Sequence, residues 1–117
     1  MNYDSAIAIA QRELPLRHAA RFSSVFAYGA VDIDPKHLVV WVLLTGNPDD
    51  LPAWYFPHRD HVDPGQYDAD LLTGIDAMRS AVVDCFAREG WPDAQHIHVG
   101  FDSADRVAAE GGWAYFK

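Results

Sequence analysis

Histidine and carboxylate side chains carry most of the chemistry available to this chain, and they gather in a few places. His58 and His61 stand three apart with Asp60 and Asp63 beside them, while His96 and His98 stand two apart. Imidazoles bind zinc when three or four ligands converge, and a catalytic zinc keeps one position open for water. Residues two apart on a strand leave on the same face, which suits a pair of ligands. One reading is therefore a small metal-dependent hydrolase holding zinc through His58, His61, His96 and His98. Asp32 and Asp34 flank Ile33 at what reads as a strand end. Such a carboxylate pair can serve acid–base or metal-assisted chemistry, although a turn role is enough for Asp34. No HExxH, GxSxG, GxGxxG or phosphate-cradling loop pattern occurs. Cys85 is the single cysteine and falls in a helical pattern, so it reads as a packed thiol.

The elements that must position these groups are organised around His37 to Gly46, HLVVWVLLTG. Leu38 to Leu44 is an unbroken apolar run, too short for a membrane span of about 20 residues and rich in β-branched valine. Turn residues bracket it on both sides. It reads as a central strand, with Leu38, Val40, Val42 and Leu44 on one face and Val39, Trp41 and Leu43 on the other, and both faces must be covered. Ser24 to Ile33 alternates as a second strand, joined through Asp34-Pro35-Lys36 as a hairpin, and Gly29 marks a bulge or bend.

Ahead of these strands, Asp4 or Ser5 caps a first helix with Tyr3, Ile7, Ala10 and Leu14 along one side. Pro15 interrupts it, and Leu16 to Phe22 resumes for a turn or two. Arg12, Arg17, His18 and Arg21 form the single basic cluster. Beyond the central strand, Ala53 to His58 is an edge strand or extended loop because of Pro57, and Arg59 to Tyr67 is a polar loop. A long helix follows from Asp68 or Asp70 to Glu89, with Leu71, Ile75, Met78, Val82 and Phe86 as its apolar stripe. Gly90 takes the left-handed cap, Trp91 folds back and Pro92 forbids continuation. His96 to Asp102 alternates as a strand with Ile97, Val99 and Phe101 inward. Ser103 caps a short helix, Ala104 to Glu110, and Trp113 to Phe116 reads as a last strand. The expectation is one α+β domain, residues 1–117, with an antiparallel or mixed sheet of four to five strands and helices mainly on one face.

Nine Lys and Arg against seventeen Asp and Glu give a net charge of −8, which works against binding nucleic acid or an anionic membrane and favours a basic partner. The opening Met1-Asn2-Tyr3-Asp4-Ser5 lacks the basic and apolar pattern of a leader, so a cytoplasmic protein is expected. Trp54, Tyr55 and Phe56 stand beside Asp49, Asp50, Asp60 and Asp63. Aromatic anchors ringed by carboxylates have the composition of a protein-binding patch, though the same aromatics could simply close one end of the core.

That acidic stretch, with Asp49-Asp50 and Asp60-His61-Val62-Asp63, sits on a compact α+β body, and the tail Val99 to Lys117 reads VGFDSADRVAAEGGWAYFK. In these features the chain resembles the small acidic bacterial immunity proteins that neutralise contact-dependent or other polymorphic toxins. The resemblance implies a non-enzymatic inhibitor without a cofactor, which covers the active or substrate-binding surface of a basic toxin, often a nuclease. Asp49, Asp50, Trp54, Tyr55, Asp60 and Asp63 are then the partner-binding residues. Two alternatives stay open: the histidine-based hydrolase, and a regulatory module that forms a homodimer through an edge of its sheet.

Overall fold

A computed structural model of the chain describes residues 3–19, 21–46, 51, 69–109 and 111. Their order is α1 (Asp4–His18), β1 (Phe22–Tyr28), β2 (Val39–Leu44), α2 (Ala69–Arg88), β3 (His98–Ser103) and α3 (Ala104–Ala109), an α+β arrangement. Among the described residues the sheet has three strands in the order β1-β2-β3. The expected strands at Ala53–His58 and Trp113–Phe116 lie outside the described residues.

The apolar run does form the middle strand. β2 pairs antiparallel with β1, from Phe22 opposite Leu44 to Tyr28 opposite Val39, with a register shift between Phe22 and Ser24. On its other side it pairs in parallel with β3, from Val39 opposite His98 to Leu44 opposite Ser103. The sheet is therefore mixed. A parallel neighbour requires a long crossover, which α2 supplies between β2 and β3.

Both faces of β2 are covered. Leu38, Val40, Val42 and Leu44 join one core cluster with Ala6, Ala10 and Leu14 of α1 and with Leu71, Ile75, Met78, Val82 and Phe86 of α2. On the opposite face Val39 and Trp41 are also buried. The Trp41 indole donates from Nε1 to the Tyr28 hydroxyl at 3.0 Å. It also lies against Gly100 on β3, where an added Cβ would come within 2.7 Å of the ring. A glycine is needed there because the ring occupies the space of a side chain.

α2 ends as its sequence dictates. Trp91 N–H donates to the Phe86 carbonyl and Gly90 N–H to that of Ala87, both at 3.0 Å, with Gly90 at φ +80°. This is the Schellman pattern, in which a left-handed residue turns the chain back onto the last carbonyls. The fold-back sets the Trp91 ring edge-on to Phe86 at 5.4 Å, an apolar clasp on the last turn.

Four local expectations are corrected. α1 runs unbroken through Pro15 to His18 and does not stop there. Proline removes one hydrogen bond, but Leu14 is buried just before it and Glu13 is ion-paired to α2, so tertiary contacts hold the last turn. The residue at its N-cap is Tyr3, with no side-chain cap; Asp4 already lies in the first turn, where its charge suits the helix dipole. β1 ends at Tyr28, before the expected Ile33, because Gly29 turns away at φ +133° and a Cβ there would collide with the His37 carbonyl. Ile33, the expected end of that strand, is 80% exposed. Finally, β3 begins at His98, since Ala94–His96 forms a 3-10 turn.

Substituting Gly100→Ala forces the new methyl into Trp41 and should cost about 2 kcal/mol, the scale of core overpacking. At Gly74, an α2 position with open space around it, alanine should instead stabilise by about 0.5–1 kcal/mol. Urea denaturation of the two variants checks this pair of opposite signs.

Candidate functional site

The partner-binding residues expected from sequence, Asp49, Asp50, Trp54, Tyr55, Asp60 and Asp63, lie outside the described residues, as do His58 and His61. What the structure describes is the frame from which that stretch departs. It leaves the sheet after Leu44 at the end of β2, passes Leu51, and returns at Ala69, where α2 begins. Leu51 is buried, and its carbonyl accepts a hydrogen bond from Arg106 Nη2 at 3.0 Å.

Arg106 is the organising side chain of this corner, and the sequence reading passed over it. Its Nη1 is paired with Asp102 Oδ1, one turn back across the start of α3. Asp102 is 1% exposed and also accepts from the Ser103 N–H at 2.7 Å. Ser103 Oγ in turn accepts from the Arg106 N–H at 3.1 Å, the expected N-cap of α3. One guanidinium thus joins the end of β3, the first turn of α3 and the Leu51 segment. The signal was present as an i, i+4 Asp/Arg pair straddling the serine cap. What the pattern could not show was that Asp102 points into a buried corner.

His96 and His98 are not two neighbours on one strand face. His96 lies in the 3-10 turn and is exposed, whereas His98 opens β3 and is half-buried. Among the described residues no three His, Cys, Asp or Glu side chains are grouped to hold a metal. His96 instead borders a cleft of about 270 Å³ beside the hairpin turn, with Leu38 and Trp91 in its lining and Asp34, Lys36 and Asp93 around it. Asp32 and Asp34 also leave their expected place on a strand end. Asp34 caps a 3-10 turn, its Oδ1 accepting from the Lys36 N–H at 3.0 Å, and that hydrogen bond first, then the Lys36 charge, holds its carboxyl below the ordinary aspartate range. The turn role accounts for Asp34.

A second cluster joins the two long helices. Arg88 on α2 makes a two-pronged contact with Glu13 on α1, Nη1 to Oε1 at 3.3 Å and Nη2 to Oε2. Cys85 Sγ lies 3.7 Å from Glu13 Oε2 and 3.4 Å from Arg88 Nη2. Burial pushes the Cys85 thiol up, ahead of the opposing pull of Arg88. Such a thiol stays protonated at neutral pH and is a poor nucleophile, so it packs rather than reacts. Hydrogen bonding from Arg88 holds the Glu13 carboxyl below the ordinary glutamate range. Burial first, then the Arg17 charge, lowers His18 at the end of α1.

Asp102 is the one buried carboxylate among the described residues. The other described carboxylates all reach solvent.

Removing a guanidinium that neutralises a buried carboxylate is costly. Arg106→Met should destabilise by about 3 kcal/mol, with part recovered in the double variant that also carries Asp102→Asn, measured by urea denaturation. The Glu13 carboxyl has a lower pKa folded than unfolded, so its stabilisation is present above the unfolded value and is lost as pH falls through the folded one. Urea midpoints followed from neutral to acid pH should therefore fall less steeply below about pH 4.5 in Glu13→Gln than in the parent. Comparison with protein families, with curated proteins and with solved structures gave no match.

Proposed function

We propose that the chain is a protein-binding inhibitor, an immunity protein that neutralises a basic toxin in the cytoplasm by covering its active or substrate-binding surface. The supporting observation is where the charge lies. The chain carries −8, and every described carboxylate other than Asp102 reaches solvent. Among the described residues no helix is long and apolar enough to cross a membrane, and the acidity works against a nucleic-acid partner.

A toxin that cleaves nucleic acid needs a cationic surface for phosphate, and an acidic inhibitor meets that surface with complementary potential and fast association. Asp49, Asp50, Asp60 and Asp63 supply steering charge in this proposal, with Trp54 and Tyr55 as anchors. In the same proposal Ala53–His58 and Trp113–Phe116 extend the sheet to four to five strands. The Arg106 corner supports it by pinning Leu51, so that the stretch leaves from a fixed point.

Purified chain used as bait in a native lysate should retain a basic protein at low salt and release it at high salt. Against that protein, Asp→Asn at Asp49, Asp50, Asp60 and Asp63 together should slow association at least about ten-fold, read by surface plasmon resonance. Unchanged association of the quadruple variant would remove this stretch from the interface. A bait that captures no basic protein under any salt condition would remove the inhibitor reading itself.

A further inference from the structure

The groove between α1 and α2 lies beside the Glu13–Arg88 ion pair. It encloses about 570 Å³, with Leu14 and the small side chains Ala77 and Ala81 in its lining. Leu16, 80% exposed, stands at this groove as one of the two large apolar side chains that project into solvent among the described residues. Charges of both signs border it. Arg17 and Asp84 are exposed, whereas Glu13 and Arg88 neutralise each other.

From this surface we infer that two copies of the chain associate face to face through α1 and α2, the Leu16 of each seated in the groove of the other and Arg17 of each facing Asp84 of the other. A two-fold contact uses the same patch twice, so the patch must be complementary to itself. This one carries a projecting side chain beside a hollow lined by small residues, and a cation beside an anion. Charge also selects the occupant. Two bodies of −8 repel, and they can approach where the net charge is locally least negative. The end of α1, with Arg12, Arg17, His18 and the following Arg21, is the single basic cluster in the chain. A strongly basic partner would be repelled by those residues, whereas a second copy brings one exposed cation, Arg17, and one exposed anion, Asp84, to the same lining.

Sedimentation equilibrium over a range of concentrations tests the pairing. The parent chain should move from monomer to dimer as concentration rises. Leu16→Asp should raise the dissociation constant at least about ten-fold, without loss of fold because the residue is exposed; circular dichroism checks the latter. Ala77→Gln, at another exposed position, should fill the groove and act in the same direction. Arg17→Glu and Asp84→Arg should each weaken the dimer, and the two together should restore it. A parent chain that stays monomeric at every concentration would overturn the inference. So would a dimer indifferent to Leu16→Asp and Ala77→Gln, which would place the contact elsewhere, such as the sheet edge. Loss of a different bound protein on Leu16→Asp, with the chain itself monomeric, would give the groove to another partner and overturn it equally.

Discussion

The indole of Trp41 is the contact on which the sheet depends, because it touches all three described strands at once. It rises from β2, rests on the bare backbone of Gly100 in β3 and donates to the hydroxyl of Tyr28 in β1. Parallel and antiparallel neighbours meet at the same strand, and the ring spans both pairings on the face opposite the two long helices. Packing of this kind restricts register, since sliding β3 by one residue would bring a side chain where the ring now lies.

Beneath that face the other half of β2 is satisfied by α1 and α2, whose apolar stripes meet Val40, Val42 and Leu44. The helices are tied to each other by Glu13 and Arg88, and α2 is closed by Trp91 folding onto Phe86. The hydrophobic surface of the central strand is thus divided between two layers. Charge is treated differently: Asp102 alone among the described carboxylates is buried, and it is met by a guanidinium and a main-chain N–H. Among the described residues the acidity is therefore a property of the surface and places little burden on the core.

Periodicity and punctuation were sufficient for much of this. The middle strand, the hairpin at Asp34-Pro35-Lys36, the stripe of α2, the Gly90–Trp91 closure and the Ser103 cap each follow from a local pattern with a single physical outcome. Where the pattern misled, a competing interaction lay far away in sequence. Pro15 breaks a helix in isolation, yet α1 continues because Leu14 and Glu13 are held by partners in other elements. His96 and His98 share the spacing of a strand face, yet the first belongs to a 3-10 turn.

By itself, then, the sequence determined the types of the described helices and sheet strands, the two-sided burial of β2 and the net acidity, because hydrophobic spacing and net charge are properties of neighbours and of sums. Tertiary structure decided that β3 lies parallel to β2, that Arg106 closes the corner over Asp102 and Leu51, and that Leu16 is left projecting beside a groove. Each of these depends on which side chains meet across long stretches of chain, and on the water they exclude when they do. Such meetings are set by packing, and no local spacing records them.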